Sequence, residues 1–288
     1  MKALIVVNAY IKNKSQISQA ERIRQELVAL DIDARVEKNF NLANIKDGKV
    51  SRSDYGFCVY LDKDKAAARL LEKSGLRLFN SAEAVEVCDN KMLTHIALAD
   101  QCINMPDCVY APLCYYSDAK ADLSFLKRVE SELGFPLVAK TSYGSLGAGV
   151  TLIKSFDELV SYENARLTEE HFYQQFIDCG CGEDIRVIVI GGKYVCSMKR
   201  SNKSDFRSNI ELGGAGEKCD ADGRLISLAE RVADSLGLDY CGIDVLTDKN
   251  GKRYICEVNS NAFFAAAEKA CGVNIAKTYC EHMIKCLK

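Results

Sequence analysis

Two glycine-containing dipeptides constrain this chain more than anything else in it. IRVIVI-GG-KYVCSMK spans residues 185–199, and YCGIDVLTDK-NG-KRYICEVN spans residues 240–259. Gly-Gly and Asn-Gly tolerate the positive φ that both central positions of a type I′ turn require, so each stretch predicts an antiparallel hairpin. In the second, a two-residue turn pairs Lys249 with Lys252. Counting back along both strands, Asp244 then faces Glu257, and Asn259 lies two residues further on the same face. A four-residue turn would move the partner by two and keep the face. Facing Cβ atoms lie about 4.5–5.5 Å apart, so two carboxylates and an amide oxygen converge. A cluster made only of oxygen repels itself unless a hard cation such as Mg²⁺ or Mn²⁺ neutralises it. The alternative is a solvated outer face that carries these charges by chance. Against it, Ile243, Val245, Ile255 and Val258 leave no clean polar-out alternation, which predicts a sheet covered on both sides.

The chain changes class before these hairpins. Its first third alternates strand and helix: an apolar run at 2–7, a helical repeat at 18–30 with Ile23, Leu27 and Leu30 on one face and Ser18 as N-cap, then strands at 34–38 and 55–61. A helix at 64–75 and a strand at 76–79 follow. This order predicts a parallel sheet covered by helices, forming a small α/β domain over 1–85. Beyond it, residues 87–102 predict one helix, Pro106 and Pro112 bracket a short strand, and 123–134 predict a helix ending at Gly134. A further helix is expected at 225–237. Helices mixed with antiparallel hairpins predict α+β layering for 86–288.

Composition narrows the function. The 288 residues are 48% hydrophobic and 27% charged with a net charge of −2, an ordinary globular balance that disfavours a nucleic-acid wrapper. No run of 18 apolar residues predicts a membrane span. The opening MKALIVVNAY reads as a buried first strand rather than a leader. The 14 cysteines are therefore expected to be reduced and the location cytoplasmic. No C-x-x-C pair signals a structural zinc site, the closest spacing being Cys179-Gly-Cys181. His95, His171 and His282 are placed on helices, and no nucleophile-and-base motif accompanies them.

Two further segments carry chemistry. KTSYGSLGAGV (140–150) sets Gly144, Gly147 and Gly149 among Ser142 and Ser145, between two strands. Backbone N–H groups of such a loop can approach phosphate oxygens, with Lys140 adding charge, although a plain glycine-rich turn reads the same way. The stretch 199–209 packs Lys199, Arg200, Lys203 and Arg207, either a solvated loop or a clamp for an anion.

In order, FNSAEAVEVCDNKMLT, FPLVAKTSYGSLGAGV, QQFI, GEDIRVIVIGGKYVCSMKR, DFRSNIELGGAG and GIDVL…ICEVN resemble the ATP-grasp superfamily, specifically its RimK-like carboxylate–amine ligases. The resemblance runs over about 79–285 and implies a small pre-ATP-grasp domain before an ATP-grasp body, with a central lobe at about 86–174 and a C-terminal lobe at about 175–288. It implies that Lys91 and Lys140 contact ATP phosphates and that the loop with Ser142, Gly144, Ser145, Gly147 and Gly149 is the lid over them. Gln175 and Phe176 match the adenine hinge, and Asp184 an acidic residue at the ribose. Arg207 and Asn209 fall near the transferred phosphate, and Lys199 is a further candidate for nucleotide binding. Asp244, Glu257 and Asn259 match the ligands of two Mg²⁺ or Mn²⁺ ions. Lys140 and Arg207 would act catalytically, offsetting repulsion between anions. The implied reaction joins an amino acid such as glutamate to a carboxylate acceptor, small molecule or peptide tail, through an acyl phosphate with release of ADP. Homo-oligomers are common among such proteins. A phosphotransferase or a non-catalytic nucleotide-binding regulator are the alternatives; a retained metal triad speaks against the second. The segment after Glu257-Val258-Asn259, here Ser260-Asn261-Ala262-Phe263-Phe264, departs from the small-residue and proline pattern of relatives, which bears on the substrate rather than on ATP.

Overall fold

The computed structural model describes residues 1–12, 14–42, 44–51, 53–145, 147–180, 182–202, 205, 207–208 and 213–288. The expected strand–helix alternation opens the fold. Strands β1 (Lys2–Val7), β2 (Asp33–Lys38), β5 (Phe57–Tyr60) and β6 (Arg77–Phe79) form a parallel sheet in the order β2-β1-β5-β6. A two-stranded ribbon of β3 (Ile45–Lys46) and β4 (Lys49–Val50) stands apart. Helix α1 (Lys14–Ala29) buries Ile23 and Leu27, but it begins before Ser18, which lies inside the helix rather than capping it. The residues Lys14 to Ile17 contain no breaker, so the helix extends back through them. Asp64 caps α2 (Lys65–Lys73) by accepting from Ala67 N at 3.0 Å.

The single helix expected over 87–102 is two. Asn90 ends α3 (Ala82–Asp89) and caps α4 (Lys91–Leu98), its side chain accepting from Met92 N and Leu93 N at 3.0 and 3.1 Å. An asparagine offers the backbone this alternative to continuing a helix. The same amide donates to Glu170 at 3.0 Å, and Lys91 N donates to Ser142 O at 2.9 Å, so the break seats Lys91 against the glycine-rich loop.

A second sheet is antiparallel, in the order β7-β10-β8-β9: β7 (Cys108–Tyr110), β8 (Leu137–Thr141), β9 (Val150–Ile153) and β10 (His171–Gln175). Helices α5 (Leu123–Leu133) and α6 (Phe156–Arg166) cover it through Leu126, Val129 and Leu159. Helix α5 stops at Gly134, whose φ of 66° ends it as expected. His171 lies on strand β10, not a helix, and its Nε2 meets the Glu163 carboxylate at 2.9 Å.

The third sheet runs β13-β12-β11-β14-β15, with β11 (Glu183–Ile190), β12 (Lys193–Ser201), β13 (Ala215–Lys218), β14 (Tyr240–Thr247) and β15 (Arg253–Asn259). Gly191 and Gly192 take φ of 55° and 70°, as the first turn requires. Both faces are covered. Val187, Val189, Ile243 and Val258 pack on α7 (Gly223–Ser235), whereas Ile188, Ile190 and Tyr240 share a core with α8 (Ala265–Cys271), α9 (Ile275–Cys286) and the first sheet. Each such fully buried aliphatic side chain contributes about 1.5–3 kcal/mol. Asn80 fixes β6 to this sheet. Its Oδ1 accepts from Asp239 N and Tyr240 N at 2.6 and 3.0 Å, and its Nδ2 donates to Tyr240 O and Ser260 O, both at 2.7 Å. Among the described residues no helix is long and apolar enough to cross a membrane.

Candidate active site

Asp244 and Glu257 do face each other across β14 and β15, with Asn259 opposite Gly242. They do so for a reason the count missed. The turn holds three residues, 249–251, closed by Asp248 N donating to Lys252 O at 2.9 Å, with Gly251 at φ 80°. This pairs Thr247 with Arg253 and Val245 with Ile255, one residue out of the expected register. A bulge at Cys256 then restores it at Asp244.

Around this pair a cleft opens between the second and third sheets. It is lined by Lys91, Lys140, Gly144, Ser145, Gly147, Gln175, Phe176, Asp184, Arg207, Asp244 and Glu257, among others. Eleven side chains or loop positions singled out in the sequence thus share one cavity. Val138, Val150, Ile177 and Leu246 give it an apolar wall, and Lys91, Lys140 and Arg207 bring cations to it. The remaining expectations fall elsewhere. Ser142 is buried with an unpartnered Oγ, and Gly149 closes the neck of the loop. Asn259 lines an adjoining cavity together with Glu257, Arg186 and Asp62. Lys199 is not brought to the cleft; its ammonium pairs with Glu183 at 3.0 Å on the half-exposed opposite face. Asn209 and Lys203 lie outside the described residues.

The loop geometry depends on glycine at its neck. Gly149 has φ 73°, and a Cβ there would come within 2.1 Å of Thr141 Oγ1; a Cβ on Gly144 would meet Ala148 O at 2.9 Å. The loop's carbonyls hold the cations of the cleft: Lys91 Nζ donates to Gly144 O and Arg207 Nη1 to Gly147 O, each at 2.8 Å. Burial lowers the Lys91 ammonium below its ordinary pKa, against Glu257 at 3.9 Å, which raises it, and Lys140, which lowers it further. Lys140 Nζ lies 3.6 Å from Cys256 Sγ. Beneath them His95 is buried; burial first and Lys140 second push its pKa down to about 4, so the imidazole is neutral, paired with Gln174 at 3.0 Å.

Two arginines complete the site: Arg186 was not singled out in the sequence, and Arg200 figured there only within the cationic 199–209 stretch. Arg200, 2% exposed, holds Asp184 through both carboxylate oxygens and reaches Asp244 Oδ2 at 2.9 Å. Arg186 grips Asp244 through both oxygens at 2.7 Å. Burial drives the Asp244 pKa up, but the two guanidiniums outweigh it and hold the carboxyl below its ordinary value. For Asp184 burial wins: Arg200 lowers its pKa, Asp244 adds repulsion, and the carboxyl ends above the usual range. The signal that would have found Arg200 is the first hairpin, where a bulge at Val195 sets Arg200 rather than Lys199 opposite Asp184.

The donor set suits a hard divalent cation. Asp244 is ionised, and the arginines leave part of its acceptor capacity free. Glu257 is partly exposed to the cleft. The Asn259 Nδ2 is buried without a partner, and exchanging the two amide atoms would put Oδ1 in its place. All the ligands on offer are oxygens, as Mg²⁺ or Mn²⁺ prefers.

Comparison with known proteins follows this geometry. The sequence model of the RimK-like ATP-grasp domain matches residues 88–283. The uncharacterized protein MG012 homolog of Mycoplasma pneumoniae is 30% identical over 273 residues, covering 93% of this chain and 94% of that protein. Human N-acetylaspartylglutamate synthase A is 32% identical over 231 residues, covering 80% of this chain; the chain spans only 58% of that protein's length. In fold, the chain resembles the ATP-grasp ligase PsnB, solved with a phosphomimetic variant of its minimal precursor, Mg and ADP, with a TM-score of 0.71 at 16% identity over 99% of this chain and 98% of that one. Matched over more than half its length, the chain belongs to the RimK-like ATP-grasp family.

Proposed function

We propose that the protein is an ATP-dependent, ADP-forming carboxylate–amine ligase that makes an amide bond through an acyl phosphate, adding an amino acid such as glutamate to a small-molecule or peptide carboxylate. One observation carries the reading. A single cleft joins an apolar slot, the cations Lys91, Lys140, Arg200 and Arg207, and the paired carboxylates Asp244 and Glu257. Such a site can position and neutralise anions, and burial keeps the thiol of Cys256 in its lining protonated. The glutamate in the product named for the human relative supports that amino acid as the amine.

Gln175 and Phe176 sit beside the apolar slot and would meet the adenine. Lys91, Lys140 and Arg207 would take the triphosphate, exchanging the loop carbonyls that hold Lys91 and Arg207 for phosphate oxygens. Lys140 and Arg207 would offset repulsion as the substrate carboxylate attacks the γ-phosphate, and ADP leaves. The amine then attacks the acyl carbon and phosphate departs. Asp244, Glu257 and Asn259 would hold Mg²⁺ or Mn²⁺, which when bound supplies Lewis-acid neutralisation of the phosphate oxygens. The loop over 142–149, pinned at Gly149 and contacting the first sheet's region through Lys65 Nζ at 2.8 Å from Tyr143 Oη, would exclude water that hydrolyses the acyl phosphate. Residues 1–85 and the lobes at 86–174 and 175–288 would close on the substrates, in a location proposed to be cytoplasmic.

The test is release of ADP and phosphate with Mg²⁺ across a panel of amino acids and carboxylate acceptors. Glutamate with at least one acceptor should stimulate turnover and yield an amide by mass. A protein whose ADP release no amine stimulates is not a ligase.

A further inference from the structure

Far from the cleft, three side chains of mixed chemistry converge at the last helix. We propose that Asp239, His282 and Cys286 form a second metal site, for a borderline transition-metal ion of the zinc class. His282 and Cys286 are one turn apart on one face of α9, and Asp239 is the residue before β14. His282 Nε2 lies 3.0 Å from Asp239 Oδ1 and 3.6 Å from Cys286 Sγ, and one ligand atom from each residue falls within 4.8 Å of the others. Tetrahedral zinc, with bonds of about 2.0–2.3 Å, sets nitrogen and oxygen ligands about 3.3 Å apart and nitrogen and sulfur about 3.6 Å apart. The observed 3.0 and 3.6 Å lie within about 0.3 Å of these values before any adjustment.

The imidazole is also held in the orientation this requires. Phe79 meets it edge-on with centroids 6.3 Å apart, and Gly191 packs so closely on Nδ1 that a Cβ there would come within 2.4 Å of it; Nε2 therefore faces Asp239, with Cys286 Sγ 3.6 Å from Nε2 and 3.8 Å from Nδ1. Glu72 and Asp234 line the same surface cleft and add negative potential. One contact competes. Arg77 Nη2 lies 3.1 Å from the same Asp239 oxygen, but its side chain is half exposed, and such a pair is worth about 0–1 kcal/mol, so an arriving cation can displace it. Imidazole, thiolate and carboxylate together favour zinc over magnesium, which separates this site from the all-oxygen one. The ion would bind the neutral imidazole at Nε2, the ring proton shifting to Nδ1, and would displace the thiol proton of Cys286 to solvent. The fourth position stays open to the cleft. Bound metal would tie α9 to the start of the strand that carries Asp244 and would mask the exposed Cys286.

The test uses the whole protein, stripped with a chelator, in excess Mg²⁺ to fill the oxygen site. Zn²⁺ titrated by calorimetry should show a site whose affinity drops on the order of 100-fold in Cys286→Ser and in His282→Gln. Co²⁺ should give a thiolate charge-transfer band in the parent protein and not in Cys286→Ser. Cys286 lies outside the ligase cleft, so Cys286→Ser should keep its ADP-forming activity and its fold, and it carries the test even where His282→Gln fails to fold. Equal Zn²⁺ affinity in Cys286→Ser and the parent, or no uptake by the parent, overturns the site. Neither outcome touches the ligase reading, because the readout is metal uptake rather than turnover.

Discussion

Replacing Arg200 by methionine should destabilise the protein by about 3–5 kcal/mol at neutral pH, the cost of breaking a buried ion pair by removing one partner. The site sets where that cost falls. Asp244 retains the two 2.7 Å bonds from Arg186, so it is not orphaned. Asp184, 8% exposed, loses both of its guanidinium contacts and, among the described residues, keeps its hydrogen bond with Ser208. For a chain of this size the loss corresponds to a fall on the order of 10 °C in Tm. The pH dependence has a definite sign. Burial already holds the Asp184 carboxyl above its ordinary pKa, and without Arg200 it must rise further. A carboxyl whose folded pKa exceeds its unfolded one binds more protons when folded, so the folded state gains stability as pH falls through the folded value. The deficit of Arg200→Met should therefore shrink as pH falls below neutrality. Adding Asp184→Asn, which removes the orphaned charge, should recover most of it. Urea denaturation followed by circular dichroism measures all three proteins. A deficit below about 1 kcal/mol at neutral pH, or one that widens as pH falls, would refute the assignment of Arg200 as the counter-charge of Asp184.

Other expectations are as direct. Glu257→Gln should abolish ADP formation and leave the circular dichroism spectrum unchanged; normal turnover in that variant removes Glu257 from the metal set. Gly149→Ala should cost about 1–3 kcal/mol through positive φ alone, with a further loss from the 2.1 Å approach to Thr141 Oγ1. Adding Thr141→Ala should restore part of the turnover, and no rescue at all argues against the contact. His95, with its pKa pushed down to about 4, stays neutral in the fold while the unfolded chain takes up a proton first. Stability should fall by up to about 3 kcal/mol as pH drops from about 6.5 toward 4. His95→Gln should flatten that slope in pH-dependent denaturation, and an unchanged slope assigns it to other groups.

The sequence carried the parallel first sheet, both hairpins and most of the cleft, because strand–helix alternation, glycine turns and ordered motifs are local signals. It failed where a bulge or a cap intervened. Residues 87–102 look continuously helical, but Asn90 finds three partners and ends one helix while starting another. Lys199 and Arg200 are adjacent cations, and only the bulge at Val195 decides which of them turns inward. The counter-charge roles of Arg186 and Arg200 were not legible because their partners lie on neighbouring strands. Burial of that kind depends on which strands pair, and no window of sequence states it.

The second hairpin holds a lesson about insertions and deletions. Its turn is one residue longer than the shortest option, and the bulge at Cys256 absorbs that residue before the strands reach Asp244 and Glu257. The hairpin behaves as a slide with a stop: length can be traded between tip and bulge while the far end keeps its alignment. A single-residue deletion in 249–251 can be taken up by loss of the bulge, leaving Asp244 opposite Glu257. The same deletion in 257–259, beyond the stop, has nothing to absorb it and would turn the site's ligands to the wrong face. The tip is therefore the place where this fold can change length without touching its chemistry.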